Sequence, residues 1–160
     1  MAKTDIKNLP YRDNVASVVF KGDKFLLVQL RGWPENFWKF PQGGMNEGEA
    51  EEIAVARELL EELGTDNFKI IGKSTYTNIY DWPMEIVEKA GFRWKGQFQR
   101  FFLVEFLGDE NEINFDRNEI QACKWVRGEE IFGHIDHDHK LFVNYKNTIE
   151  KVLSEFEKLF

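Results

Sequence analysis

The 160-residue chain is predicted to fold as an α/β sandwich, because strand-like segments surround two segments with helical periodicity. Residues 99–107 form a continuous apolar run that is typical of a buried strand. Residues 49–63 and 145–160 carry apolar side chains at helical spacing. Fifteen Phe, five Trp and four Tyr supply large apolar area for a core. The length suits one domain, which is expected to cover residues 1–160.

The predicted strands follow one another along most of the chain. The first two lie on either side of a short Lys-Gly-Asp turn, and the fourth is long enough to be one strand or a pair. In chain order, the predicted strands are residues 14–20, 24–30, 38–40, 68–80, 99–107 and 124–126. The C-terminal helix, residues 145–160, is predicted from Ile149, Val152 and Phe156, which fall on one helical face.

The middle helix carries three glutamates on one stripe, since Glu58, Glu61 and Glu62 stand at positions i, i+3 and i+4. Unpaired like charges in this arrangement weaken a helix by roughly 0.2–0.5 kcal/mol per pair. A cation among them would offset that cost, and a hard divalent ion such as Mg²⁺ takes carboxylate and phosphate oxygens. The stripe indicates a phosphate-handling metalloenzyme, while the glutamates alone leave a solvated acidic surface helix as an alternative.

The limits and apolar face of this helix can also be predicted. It is expected to begin near Glu49 and to end at Gly64, which suits the left-handed conformation after a helix. At about 100° per residue, the apolar side opposite the glutamates is expected to hold Ile53, Ala56, Leu60 and Leu63. An irregular loop that lets backbone approach a ligand is indicated by Pro41, Gly43, Gly44 and Gly48.

Charge and composition exclude some classes of function. A net charge of −7 opposes binding of a long nucleic-acid duplex, whereas a small nucleotide or an RNA 5′ end stays compatible because metal ions carry local positive charge. No apolar run has the length of a membrane span, and no secretory signal is evident, so no membrane partner is expected. The single cysteine, Cys123, indicates a reducing, cytoplasmic setting and a buried apolar role. The oligomeric state stays open.

A longer fixed spacing surrounds the glutamates. Gly43, five residues, Glu49, seven residues and then the run Arg57-Glu58-Leu59-Leu60-Glu61-Glu62-Leu63-Gly64 resemble the signature box of the Nudix hydrolases. Thr65 departs from that box, in which an aliphatic residue is preferred, and its methyl group is expected to pack there. The resemblance implies an α/β/α sandwich with a mixed sheet and a loop–helix–loop motif. It also implies metal-dependent hydrolysis of a nucleoside diphosphate linked to another group.

The resemblance further implies roles within the box. The implied metal ligands are the carbonyl of Gly43 and the carboxylates of Glu58, Glu61 and Glu62. Arg57 would orient a glutamate of the box, with Glu49 as its expected partner. Two or more Mg²⁺ or Mn²⁺ ions would neutralise the polyphosphate and lower the pKa of a bound water for in-line attack. One carboxylate would accept the proton of that water, and Glu62 and Glu119 are favoured over Glu61.

Four further segments resemble two branches of the family, the bacterial RNA pyrophosphohydrolases and the plant-type asymmetric diadenosine tetraphosphate hydrolases. They are residues 37–44 (Phe-Trp-Lys-Phe-Pro-Gln-Gly-Gly), 11–15, 96–102 and 118–126. Residues 85–94 do not align clearly with either branch. In the last of the four segments, Glu119 would be a carboxylate from outside the box that completes the metal site or helps activate water.

The same resemblance suggests residues that bind substrate. Phosphates or the leaving nucleotide would be contacted by Arg12, Lys39 and Gln42. Lysine at position 39 replaces a glutamine common in the bacterial enzymes and adds a point charge. Candidates for base stacking are Arg31, Tyr80 and Phe142, with ordinary packing as the alternative for the two aromatic residues. Gln97 and Gln99 alternate on a strand and share one face, which either lines the cleft or faces solvent.

The three histidines suggest a separate metal site. His137 and His139 alternate with acids in Ile-Asp-His-Asp-His, and imidazole suits zinc and other transition metals. Loop histidines without a cysteine partner are more often solvated, which is the favoured interpretation of His134, His137 and His139.

Three functions stay open at this point. The acidic balance favours dinucleoside polyphosphates, with diadenosine tetraphosphate split into ATP and AMP. Removal of pyrophosphate from 5′-triphosphate RNA is the alternative, because many of the same residues would serve it. A non-catalytic nucleotide-binding module is the third, and the complete glutamate set opposes it.

Overall fold

The computed structural model describes residues 3–137 and 144–159, with side chains from residue 5 onward. Its strands are β1 (Tyr11–Lys21), β2 (Lys24–Leu30), β3 (Gln42–Gly44), β4 (Phe68–Asp81), β5 (Gly96–Phe106) and β6 (Ile120–Arg127). Its helices are α1 (Lys3–Ile6), α2 (Glu51–Leu63), α3 (Met84–Lys89), α4 (Ile131–Ile135) and α5 (Tyr145–Glu157). Phe142 and His139 lie outside the described residues. None of the described helices is long and apolar enough to cross a membrane.

The strands form one mixed sheet in the order β4-β5-β1-β2-β6, with β3 paired to β1. β1 and β5 run parallel, and the other pairs are antiparallel. α2 packs on one face of the sheet and α4 and α5 pack on the other. The predicted α/β/α sandwich with a mixed sheet is therefore confirmed.

Alternation along β1 supplies both halves of the core. Val15 and Val19 point to one face and pack in the same cluster as Leu59 of α2. Val18 points to the other face and packs in the cluster that contains Ile149 of α5. Successive side chains of a strand point to opposite faces, so one apolar strand buries two layers at once.

A separation between β1 and β2 creates the place for the functional site. The two strands pair only next to their connecting turn, at Phe20↔Phe25 and Lys21↔Lys24. Further along, β3 takes the place of β2 beside β1, with Ala16 opposite Gln42. β2 meets the same segment through a single bridge between Val28 and Lys39. The predicted strand at residues 38–40 is thus reduced to that bridge, and the paired strand lies a few residues later.

The predicted orientation of α2 is wrong. Ile53 and Leu60 are 61% and 49% exposed, and Ala56 is also exposed. The buried side of the helix is formed by Ala54, Val55, Leu59, Glu62 and Leu63. The small side chains of Ala54 and Val55 let the helix approach the sheet closely, and this rotation moves Glu62 to the protein interior. The helix begins at Glu51 rather than near Glu49, and Gly64 ends it in the predicted left-handed conformation, with φ 71°.

The remaining differences lie outside the box. β1, β4 and β6 extend beyond their predicted limits, and β5 begins at Gly96 and ends at Phe106 rather than spanning residues 99–107. α5 ends at Glu157, and α3 occupies part of the stretch that resisted alignment. Burial raises the pKa of the Cys123 thiol to about 12, which agrees with an unreactive role. His134 contacts Lys124 Nζ at 2.9 Å, and His137 stacks on Phe37 with ring centres 4.5 Å apart. These two histidines therefore take part in packing on the α4 side.

Candidate active site

Gly43 and Gly44 allow two charged side chains to lie directly against the backbone of β3. A Cβ atom placed at Gly43 would come 2.0 Å from Glu58 Oε2, and one at Gly44 would come 2.2 Å from Arg12 Nη2. Neither glycine has a positive φ. Space, rather than turn geometry, requires glycine at both positions.

Arg57 connects the loop before α2 to the glutamates on the helix. Its Nε and Nη2 atoms each donate to Glu49 at 2.8 Å, and Nη2 also donates to the Gly44 carbonyl at 2.9 Å. Its Nη1 atom donates to Glu58 at 2.9 Å and lies 3.3 Å from Glu61 Oε2. The expected pairing of Arg57 with Glu49 is present. These hydrogen bonds lower the pKa of Glu49 to about 2, so its carboxylate stays charged.

Glu62 is the most buried carboxylate of the box. Its side chain belongs to the buried face of α2, and no described hydrogen-bond donor reaches its Oε2 atom. Burial raises the pKa of Glu62, the Lys39 charge opposes this shift, and Glu58 and Glu119 add to it. Burial also raises the pKa of Glu58, although Arg57 acts in the opposite direction. An unpartnered buried carboxylate oxygen is costly unless a cation or donor satisfies it.

Lys39 brings a buried positive charge to the same region. The residue is 2% exposed, and its backbone N–H and C=O bond to Val28 at 2.8–3.0 Å across the split between β1 and β2. Burial lowers the pKa of the Lys39 ammonium group, while the charges of Glu62, Glu58 and Glu119 raise it. Lys39, Glu62 and Glu119 line the same space.

A cleft of about 360 Å³ lies above these groups. The predicted site residues that line it are Arg12, Arg31, Lys39, Gln42, Gly43, Glu62, Gln97 and Glu119. Glu58 lies behind Gly43, and Glu61 is on the exposed side of α2, with 59% of its side chain exposed. Leu30, Asn14 and Asn118 also line the cleft.

The two glutamines of β5 are buried, so the solvent-facing alternative for them is wrong. Gln97 lines the cleft and donates to the Tyr80 hydroxyl at 3.0 Å. Gln99 lies deeper, where its amide donates to Gln42 and, at 3.3 Å, to Asn14. Gln99 therefore holds Gln42 from below rather than lining the cleft.

Arg31 and Glu119 come together through the backbone. The Arg31 N–H donates to the Glu119 carbonyl at 2.8 Å, and the Arg31 Nε atom donates to the Arg117 carbonyl at 2.6 Å. These bonds bring the glutamate from outside the box to the edge of the cleft.

The sequence analysis missed the aromatic support of Arg12. The Arg12 guanidinium lies 5.0 Å from the centre of the Trp94 ring, and the Arg93 guanidinium lies 4.3 Å from the same centre. The Arg12 Nε atom is buried without a described hydrogen-bond partner. Trp94 belongs to the stretch that does not align with either branch, so only the fold reveals this contact.

The donor set fits divalent cations. Carboxylate oxygens are the ligands that Mg²⁺ prefers, and the unpartnered Oε2 of Glu62 together with Glu58 against Gly43 gives such oxygens beside a cleft. Among residues 3–137 and 144–159, no three potential ligands converge closely enough to hold one ion. Arg57 Nη1 contacts both Glu58 and Glu61, so these two carboxylates are paired with a guanidinium.

These features place acidic and basic side chains around one cleft, and comparison with known proteins identifies the class of protein. The family model described as the NUDIX domain matches residues 10–149. The chain belongs to the Nudix family and is a Nudix hydrolase. Enzymes of this family generally need divalent metal ions such as Mg²⁺ or Mn²⁺.

Curated relatives cover most of the chain. An RNA pyrophosphohydrolase of Gluconobacter oxydans is 37% identical over 128 residues, which span 77% of this chain and 75% of that protein. An RNA pyrophosphohydrolase of Caulobacter vibrioides is 33% identical over an alignment of 162 positions, spanning 96% of this chain and 90% of that protein. Among solved structures, a C. elegans Ap4A hydrolase binary complex matches with a TM-score of 0.67 and 20% identity, over 93% of this chain and 99% of that one. This last similarity supports the fold.

Proposed function

We propose that this Nudix hydrolase removes pyrophosphate from the 5′ end of triphosphate RNA. The observation that carries the proposal is the near full-length similarity to relatives named RNA pyrophosphohydrolase, one of which aligns with 96% of this chain. Water would attack the triphosphate, one anhydride bond would break, and the products would be 5′-monophosphate RNA and pyrophosphate.

This proposal reverses the preference for dinucleoside polyphosphates that rested on net charge. The net charge of the whole chain is a poor measure of the local charge in the cleft, because Arg12, Arg31 and Lys39 all line the cleft. Potentials at a binding site depend on the local arrangement of charge rather than on the sum alone. An acidic protein with a basic cleft wall can therefore bind the phosphates at an RNA end.

The carboxylates of Glu58, Glu61, Glu62 and Glu119, with the Gly43 carbonyl, would hold the divalent ions. When bound, such ions neutralise phosphate charge and lower the pKa of a coordinated water. Glu62 is our candidate for the group that accepts the water proton, since its buried, unpartnered Oε2 adjoins the cleft. Arg57 would act as a positioning residue that fixes Glu58 and the loop at Gly44.

The opposite wall would hold the polyphosphate. Arg12 presents a guanidinium that is packed between Gly44 and Trp94, so little side-chain freedom is left to lose on binding. Gln42 is fixed by Gln99, and Lys39 adds charge from beneath. Charge-assisted hydrogen bonds from such groups would orient the phosphates for in-line attack.

The test compares short triphosphate RNA with diadenosine tetraphosphate at equal concentrations in Mg²⁺ or Mn²⁺. We expect kcat/KM to be at least about ten-fold higher for RNA, equivalent to roughly 1.4 kcal/mol of transition-state discrimination. A ten-fold preference for diadenosine tetraphosphate would overturn the proposal and restore the interpretation based on net charge.

A further inference from the structure

A separate cavity of about 350 Å³ lies on the face of the sheet that carries α4 and α5. Leu103 and Ile131 form its floor and are fully buried. These two residues belong to the core cluster under α4 and α5, whereas Leu59 of α2 belongs to the cluster on the opposite face. The described lining of this cavity shares no residue with that of the cleft, so a ligand here would occupy a distinct site.

Three phenylalanine rings line this cavity. They are Phe25 of β2, Phe132 of α4 and Phe156 of α5. Within residues 5–137 and 144–159, no lysine or arginine lies over any of these three rings. The face of an aromatic ring attracts a cation, and several such faces together are a common way of holding an alkylated ammonium group. The walls therefore suit an organic cation.

Two carboxylates of α5 stand at the mouth of the cavity. Glu150, Leu153, Ser154 and Glu157 fall at positions i, i+3, i+4 and i+7, so they share one face of the helix and all four line the cavity. Neither carboxylate makes a hydrogen bond or ion pair with another described side chain. The described lining also contains no basic residue. The charge at the mouth thus complements a positively charged ligand.

Size and surface chemistry select among positively charged ligands. Small-molecule sites enclose about 300–1,000 Å³, whereas a stable protein partner needs about 1,000 Å² of contact. A bare metal ion would meet mostly carbon here, which cannot replace its hydration shell. The compact ammonium group of lysine is also strongly hydrated. Alkyl substituents on the nitrogen would instead pack against Leu103, Ile131 and the three rings.

We propose that this cavity binds a small alkylated ammonium cation. The alkyl groups of the ligand lie against the aromatic walls, and its charge lies near Glu150 and Glu157. The site goes beyond the proposed function, because neither RNA nor a catalytic metal takes part in it.

The experiment compares choline with 3,3-dimethylbutan-1-ol, which has nearly the same shape but a carbon atom in place of the charged nitrogen. Binding of each probe is followed by NMR titration of the whole chain without added metal, at low ionic strength because salt screens exposed charges. The wild-type protein is expected to bind choline roughly 2- to 30-fold more tightly than the alcohol, the range that a cation–π contact supplies. Equal affinities, or a preference for the alcohol, would overturn the proposal.

Variants of the rings and carboxylates test the source of this preference. Glu150→Gln combined with Glu157→Gln removes the charge at the mouth, and Phe132→Leu removes one ring while keeping an apolar side chain. Each change is expected to lower the preference for choline by about two-fold or more. Glu129→Gln is the matched control, since Glu129 is exposed and lies outside the lining, so it should keep the wild-type preference. A wild-type preference in both cavity variants would overturn the proposal.

A blocking variant establishes where choline binds. Ser154→Trp fills the mouth, leaves both glutamates in place and is expected to remove most of the choline binding. Asn147→Trp, at an exposed position of α5 outside the lining, should bind choline like the wild type. Full binding by Ser154→Trp would place choline elsewhere, for example at the carboxylates of the cleft, and overturn the proposal. A wild-type dimer in sedimentation that Ser154→Trp dissociates would assign the cavity to a second copy of the chain and overturn it as well.

Discussion

The carboxylate side of the cleft and the α3 side differ in the sequence separation between the residues that contact each other. On the carboxylate side, Arg57 bonds to Glu49, Glu58 and Gly44, all within the box or the loop before it. On the α3 side, Arg12 rests on Trp94 and Gln97 bonds to Tyr80, so these contacts join β1, β4, β5 and the excursion between β4 and β5. The contacts on the first side are local in sequence, whereas those on the second side depend on the assembled sheet.

This difference suggests that the two sides have different roles in catalysis and in substrate binding. Charge-assisted hydrogen bonds at 2.8–2.9 Å hold the groups that we propose act on the anhydride. Ring contacts and longer-range hydrogen bonds hold the groups on the α3 side that would meet the substrate. Substitutions on the first side should therefore reduce kcat, and substitutions on the second should raise KM.

Replacement of Glu62 by Gln should have the largest effect. The change keeps the size of the side chain but removes a candidate ligand and proton acceptor, so kcat with saturating Mg²⁺ should fall about 10²- to 10⁴-fold. The melting temperature should be unchanged or higher, because burial disfavours the charged form of Glu62 and raises its pKa, the replacement is neutral, and Glu58 and Glu119 still act on Lys39.

Glu52→Gln provides the matched control for this substitution. Glu52 is exposed on the same helix and has no assigned role, so its replacement should leave kcat near the wild-type value. Wild-type turnover by the Glu62→Gln enzyme would show that this carboxylate is not required for the reaction.

Gly43→Ala should come next. The added methyl group would meet the Glu58 carboxyl at 1.9–2.5 Å, so that side chain must move. A displacement of about 1 Å in a catalytic group can cost about 100-fold in rate. Kinetics of Gly133→Ala serve as the control, because Gly133 lies in α4 with no atom within 4 Å of the added Cβ. Equal rates for both variants would mean that the Glu58–Gly43 contact does not matter for turnover.

Sequence reasoning was successful where contacts are local or strongly patterned. The strands and the stripe of three glutamates follow from short-range periodicity and spacing, whereas the Arg57–Glu49 pair was implied by the resemblance to the Nudix box. The Trp94–Arg12 contact does not follow from the sequence, because a cation–π pair between distant segments leaves no periodic signal.

The predicted orientation of α2 was wrong for a different reason: Ile53 and Leu60 are apolar but exposed, while small Ala54 and the carboxylate Glu62 face inward. Close approach of the helix to the sheet and burial of Glu62 took precedence over the burial of the larger apolar side chains. The assignment of one domain to residues 1–160 and the roles of individual site residues stay predictions.

Trp94→Ala should have a moderate effect that appears mainly in KM. A cation–π contact is worth about 0.5–2 kcal/mol, which corresponds to roughly a 2- to 30-fold loss in kcat/KM if Arg12 becomes mobile. Trp94→Phe keeps an aromatic face and should restore most of the loss, whereas a purely structural role would lower the melting temperature in both variants. Unchanged KM in Trp94→Ala would assign the positioning of Arg12 to Gly44 alone.

Leu60→Ala should have the smallest effect and tests the observed orientation of α2. Because Leu60 is 49% exposed, its truncation should change the free energy of unfolding by less than about 0.5 kcal/mol. Leu59→Ala, one position earlier and 2% exposed, should cost about 2–5 kcal/mol. Urea denaturation of both variants measures the two free energies under the same conditions. The predicted apolar stripe requires the opposite order of the two free energies. A larger loss from Leu60→Ala would therefore support the predicted orientation of α2, in which Glu62 is outside the interior. The carboxylate side of the cleft would then lose its buried member, and with it the structural reason for choosing Glu62 as the proton acceptor.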